Sequence, residues 1–104
     1  MATEARKGHV DLLLLSVLEH GPAHGYGLVE ALRERSVGAF DLAEGTVYPS
    51  LYRLERQGHV RSSWDTVGGR KRRMYRLTVR GGRELSRQRS EWRTYVQAVE
   101  AIVA

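Results

Sequence analysis

Thr46, Ser50, Arg53 and Gln57 recur at spacings of four, three and four, in a stretch where Val47, Leu51 and Leu54 keep an apolar i, i+4, i+7 pattern. On a helix that pattern gives one buried face and one polar ridge. Hydroxyls and a guanidinium on a single ridge donate hydrogen bonds to phosphates and base edges in a DNA major groove. Gly58 is placed to end this helix as a left-handed C-terminal cap. Pro49 fits in either of two ways. With Thr46 as N-cap, the proline lies in the first turn, where its missing N–H is no loss. With a start nearer Glu44, its ring faces the carbonyl of Gly45 and bends the helix modestly.

A second group suited to chemistry is the unbroken run Arg70, Lys71, Arg72 and Arg73, which follows Gly68-Gly69. Before it, Val60, Ser62 and Trp64 alternate with Arg61 and Ser63, and after it Tyr75 and Leu77 fall on one face. That is the pattern of a β-hairpin turning through Val67-Gly68-Gly69-Arg70, since glycines accept the positive φ of a tight turn. A cationic tip on such a wing suits a phosphate backbone.

Other chemistries lack their residues. The chain has no cysteine, so it has neither a disulfide framework nor a thiolate metal site. His9, His20, His24 and His59 show no H-x-x-H or H-E-x-x-H spacing, so solvated or capping roles are expected, with no metal and no cofactor. The glycines at 21, 25 and 27 do not form G-x-G-x-x-G and follow no strand. No nucleophile–base pair or carboxylate pair is visible, and the chain is not expected to be an enzyme.

The net charge of +5 hides a split: residues 1–60 hold 6 Lys/Arg against 8 Asp/Glu, whereas residues 61–93 hold 11 against 3. A basic half on a mildly acidic body reads as a polyanion-binding face. The apolar run from Leu12 to Leu18 is too short to span a bilayer, is flanked by Asp11 and Glu19, and is followed by no small-residue cleavage site. A cytoplasmic protein with no membrane partner is expected.

The elements that must position these groups follow from periodicity. Residues 1–7 read as a flexible tail, 8–78 as the DNA-binding unit and 79–104 as a dimerisation helix. The first helix, about His9 to His20, is apolar almost all round and therefore buried on more than one side. Gly21-Pro22 ends it. A second helix runs from about His24 to Arg35, with Tyr26, Val29 and Leu32 pointing inward. Phe40 and Leu42 alternate as in a very short strand. Thr78 offers the N-cap of a last helix reaching to about Val103, along which Leu85, Trp92, Tyr95, Val96, Val99, Ile102 and Val103 form a stripe close to a heptad seam. The fold class is mainly α with a small β-hairpin, a winged helix-turn-helix plus a C-terminal helix.

Three blocks resemble the PadR family of bacterial transcriptional regulators, in its subfamily with a single C-terminal helix. They are Gly21-Pro22-Ala23-His24-Gly25-Tyr26-Gly27-Leu28, the stretch from Gly45 to Glu55, and the stretch from Gly68 to Thr78. The resemblance covers residues 8–103, with the blocks in the family's order and spacing. It implies a winged-helix homodimer that inserts its recognition helices into successive major grooves of an inverted repeat in double-stranded DNA. It also implies a repressor released by a small hydrophobic or phenolic effector. Two departures stand out. Ala43-Glu44 replaces the family's small polar residue ahead of the recognition helix, which makes Thr46 the expected cap. Val79-Arg80 replaces acidic residues after Thr78 and places a cation at a helix N-terminus.

On this reading DNA is contacted by Tyr26, Thr46, Tyr48, Pro49, Ser50 and Arg53 together with Arg70, Lys71 and Arg72. Leu13, Leu14 and Val17 of one subunit meet Val96, Val99 and Ile102 of the other. Trp92 has two readings: it fills its share of the dimer interface, or with Tyr95, and Arg89 as countercharge, it forms an effector wall. The alternative is a winged helix used only as a protein-interaction module, which calls for a neutral wing and an apolar outer ridge.

Overall fold

The computed structural model describes residues 2–104, with side chains from His9 onward. Helix α1 (Ala2–Leu18) begins well before His9 and runs through the stretch read from sequence as a tail. Val10, Leu14, Leu15 and Leu18 are buried, while Leu12, Leu13 and Val17 are half-buried and pack at the edge of the core. Helix α2 (Gly25–Arg35) starts at His24, whose Nδ1 accepts a hydrogen bond from the Gly27 amide at 3.0 Å. That is the capping role expected of an isolated histidine. Leu28, Val29 and Leu32 face the core, but Tyr26, expected inside, is 46% exposed.

The Phe40–Leu42 stretch forms no strand, although Leu42 is buried. The third strand lies elsewhere. Strand β1 is the two-residue Ala23–His24, and with β2 (Val60–Val67) and β3 (Arg70–Leu77) it makes an antiparallel sheet in the order β1-β3-β2. Ala23 pairs with Tyr75, which anchors the hairpin to the corner between α1 and α2. Gly68 and Gly69 take φ of 59° and 78°, the doubly left-handed pair of a type I′ hairpin, and Val67 faces Arg70 across the turn.

Helix α3 (Glu44–Arg56) ends as the sequence predicts. Gly58 has φ of 80°, the His59 amide donates to the Leu54 carbonyl and the Gly58 amide to that of Glu55, the two bonds of a Schellman cap. Helix α4 (Val79–Val103) starts at Thr78, whose hydroxyl accepts from the Gly81 amide at 2.9 Å and donates to the Gly58 carbonyl at 2.7 Å. One side chain thereby joins the end of α3 to the start of α4. Gly81 must be glycine for this docking, because a Cβ there would lie 1.9 Å from the His59 carbonyl oxygen. The core formed by Leu14, Leu15, Leu28, Val47, Leu51, Leu54, Val60, Tyr75 and Leu85 is shared by all four helices and the base of the hairpin. Beyond Leu85, α4 leaves it, and Tyr95, Val99, Ile102 and Val103 are exposed.

Candidate nucleic-acid interface

The outer ridge of α3 is set by which side chains the core takes. Val47, Ser50, Leu51 and Leu54 are buried, so the opposite side carries Gly45, Pro49, Tyr52 and Arg56, again at spacings of four, three and four. The sequence reading placed the ridge one residue later, which on a helix is a rotation of about 100°. Ser50 is the cause. It is 7% exposed, and its hydroxyl donates to the Thr46 carbonyl, so its polar group is satisfied without water. Ser50 is therefore withdrawn from the outward set. Arg53 leaves it as well, because its guanidinium turns to Asp11 of α1 at 2.5 Å. Thr46 is exposed but does not cap: the N-cap is Ala43, with no side-chain bond. The helix takes the earlier start, with Pro49 in its interior and its ring toward the Gly45 carbonyl, on the exposed side.

Tyr48 lies half-buried at the flank of the ridge. A Cβ at Gly25 would come within 2.4 Å of its ring, so the glycine at the start of α2 is what lets Tyr48 lie flat there. Burial, then Glu44, raises the Tyr48 phenol above its usual pKa, so it stays a neutral donor. Tyr48 and Tyr52 are neighbours, with ring centroids 6.2 Å apart. A cleft of about 290 Å³ separates them from the wing, where Lys71, Arg72 and Trp64 form the facing wall. Tyr26 stands exposed beside His24 at the near end of this surface.

The wing divides its cations. Arg73 reaches back toward Glu55 of α3 at 3.9 Å and stacks over Trp64 at 5.6 Å. Arg76 is held by Ser63 and Asp65. Among the described residues, no carboxylate pairs with Arg70, Lys71 or Arg72, and the first two are exposed at the tip. Three unneutralised cations beside a helix ridge bearing Tyr52 and Arg56, with Thr46 at its side, make a surface that donates hydrogen bonds and attracts phosphate. Tyr52 and Arg56 were missed from sequence. Their spacing from Gly45 and Pro49 was visible, but only the burial of Ser50 selects that ridge over its neighbour.

The residues read as an effector wall and as a dimer seam are differently placed. Trp92 packs edge-on against His9 with centroids 4.8 Å apart and lies 5.9 Å from Tyr95. With Leu12, Gln88 and Arg87 they line an open hollow of about 480 Å³ between α1 and α4. Arg89 is not part of it, because its guanidinium is bound to Glu19 at 2.9 Å. Arg87 is the cation there, flanked by Glu84 and Glu91. Leu14 is 0% exposed within one chain and has no surface left for a partner. Leu13 and Val17 do reach the surface, lining a shallow groove with Leu32 and Phe40. Val96 is half-buried, and Val99 and Ile102 are exposed. Among the described residues there is no cluster of candidate metal ligands, and no helix is long and apolar enough to cross a membrane.

Comparison with known proteins agrees with this geometry. Residues 14–87 match the Transcriptional regulator PadR-like family. Transcriptional regulator Rv3488 of Mycobacterium tuberculosis is 34% identical over 86 residues, which span 83% of this chain and 78% of that protein. The crystal structure of a PadR family transcriptional regulator from Eggerthella lenta superposes with a TM-score of 0.82 at 35% identity, covering 99% of this chain and 88% of that one. A transcriptional regulator from Clostridium thermocellum superposes with a TM-score of 0.89 at 25% identity, over 100% and 99% of the two chains. The four helices, the winged hairpin and the matched sequence together place this chain in the PadR-like family of transcriptional regulators.

Proposed function

We propose that the protein is a sequence-specific DNA-binding repressor that acts as a homodimer on an inverted repeat. The observation that carries this reading is the pairing of two exposed features on one side of the molecule. One is the α3 ridge of Gly45, Pro49, Tyr52 and Arg56, and the other is the unpaired cations Arg70, Lys71 and Arg72 of the wing. The ridge enters the major groove, where Tyr52 and Arg56 address bases or their flanking phosphates, with Thr46 and Tyr48 at its sides. The wing supplies affinity without sequence choice. Tyr26 touches the backbone at the near edge.

Replacing Arg70 and Lys71 by Gln tests this directly. The slope of log K against log salt should fall by about 0.9 for each phosphate that is no longer neutralised, while the preference for a selected duplex over random DNA stays constant. An unchanged slope would leave the hairpin a solvated surface feature. No salt-dependent binding by the unaltered protein to any duplex would favour the protein-interaction module instead.

Release by a small hydrophobic or phenolic effector belongs to the same reading. The hollow beside Trp92 and Tyr95 offers aromatic faces, and Arg87 in its lining serves as countercharge by exchanging Glu84 or Glu91 for the ligand. Fluorescence titration of Trp64→Phe, which keeps Trp92 as the remaining indole, with planar aromatic acids tests it. Quenching that tracks DNA release supports the hollow as the effector site, and unchanged Trp92 emission across the set rejects it.

A further inference from the structure

Apolar side chains decide which face of α3 is buried but leave its fine roll to directional contacts. Val47, Leu51 and Leu54 are fully buried against Leu14 and its neighbours, and such contacts are non-directional. Direction comes from two polar contacts on the flanks of that stripe. On one side, Arg53 donates to Asp11 of α1, 42 residues away in sequence. On the other, Glu55 accepts from Ser62 of β2 at 2.5 Å and faces Arg73 of β3. Residues 53 and 55 stand about 200° apart around a helix axis, so α3 is gripped from opposite sides, by α1 and by the wing.

The α1 grip is expensive. Asp11 keeps only 19% of its side chain exposed, and burial lifts its carboxyl above the ordinary aspartate range against the pull of Arg53. Glu84 of α4 adds a like charge nearby, and His59, on the link between α3 and β2, faces the same junction with a buried Nδ1 that has no hydrogen-bond partner among the described residues. A pair so placed adds little to stability, because desolvation offsets the Coulomb attraction. What it supplies is geometry, since a planar guanidinium bonds a carboxylate in a fixed orientation that an ammonium does not reproduce.

We propose that Asp11 is a positioning residue for DNA recognition: through Arg53 it fixes the roll of α3 on α1, so that the Tyr52–Arg56 ridge and the wing address one duplex in register. This rests on the DNA-binding reading above. It also gives α1, the helix that lines the Trp92 hollow, a direct mechanical hold on the recognition helix.

The test uses a duplex selected from a randomised library by the unaltered protein, a random duplex of the same length, and thermal melting. Asp11→Leu keeps the branching at Cγ, fills the half-buried site with apolar volume and removes the acceptor. It should weaken binding to the selected duplex about ten-fold, leave binding to random DNA unchanged, and leave the melting temperature unchanged or raised. Arg53→Met should weaken selected binding alike, at a lower melting temperature because it strands the buried Asp11 carboxylate, and the double variant should lose no more affinity than either single one. Parallel loss of melting temperature and of both affinities would make the pair merely structural and overturn the proposal. Unchanged or tighter selected binding in Asp11→Leu, with loss confined to Arg53→Met, would mean that Arg53 reads DNA itself and would overturn it too. Should Asp11→Leu fail to fold, Asp11→Asn decides, since it keeps the side-chain volume and removes the charge that holds Arg53. Reduced discrimination there upholds the proposal, and full discrimination rejects it. Absence of salt-dependent binding by the unaltered protein would remove the DNA reading itself, independently of Asp11.

Discussion

Val37 holds φ at 54° in the turn after α2, a region where a β-branched side chain clashes with its own backbone. The conformation is imposed by a Schellman closure, in which the Gly38 amide donates to the Arg33 carbonyl and the Val37 amide to that of Glu34. The side chain is 93% exposed and gains no packing in return. Val37→Gly should therefore raise stability by about 1 kcal/mol, the left-handed penalty less the added chain entropy, read as a higher urea midpoint with an unchanged m-value. A lower midpoint would mean that the valine is not strained. Asp11 gives the residue scale a pH signature. Burial raises its folded-state pKa, so its protonated form is favoured in the fold, and its contribution is greatest below the ordinary aspartate value of 3.8. That contribution is lost as pH rises from there through the folded-state pKa. Measured by urea unfolding, Asp11→Leu should gain on the unaltered protein across that window, and a constant difference would contradict the assignment.

Elements with local signals follow from sequence alone. Thr78 caps α4, Gly58 closes α3, and Gly68-Gly69 turns the wing, because each depends on neighbours within a few residues. Features decided by distant residues do not. β1 has two residues and exists only because β3 passes beside it. The orientation of α3 depended on Ser50, whose hydroxyl satisfies itself on its own helix and so belongs inside despite its type. Arg53 went to Asp11, a partner no periodicity announces. The approach of Gly25 to Tyr48 belongs to the same class, and it yields a prediction. Gly25→Ala must displace the Tyr48 ring from a 2.4 Å overlap. Binding to a selected duplex should weaken about ten-fold, roughly 1.4 kcal/mol, with far-ultraviolet circular dichroism unchanged. Full affinity in this variant would show that Tyr48 has no part in binding.

At the scale of the whole molecule, the radius of gyration is 14.6 Å, against about 13 Å for a compact domain of this length. The excess comes from α4, a helix of 25 residues whose far half carries Tyr95, Val99, Ile102 and Val103 in the open. The groove lined by Leu13, Val17 and Leu32 of α1 and α2 and by Phe40 of the loop after α2 is a second unfilled apolar surface. A second copy of the chain can cover both at once. Val99→Glu should then yield a monomer with a lower melting temperature, and the melting temperature of the unaltered protein should rise with its concentration. A stable, concentration-independent dimer of Val99→Glu in the ultracentrifuge would place the interface elsewhere.

The three-stranded sheet has an uneven grain. β1 lies beside β3 only at Met74 and Tyr75, so β3 is flanked by strands on both sides there, whereas beside Lys71, Arg72 and Arg73 it has β2 on one side and an open edge on the other. Amide hydrogen exchange should accordingly be slow at Met74 and Tyr75 and fast at Lys71 and Arg73, whose amides face the open edge. Stiffness thus falls away along the wing just where its charge rises. A phosphate backbone varies in width and curvature from one sequence to the next, and long-range Coulomb attraction tolerates small misplacement where a base-edge hydrogen bond does not. The compliant end of the hairpin can follow the strand it meets, while the anchored base keeps α3 in place.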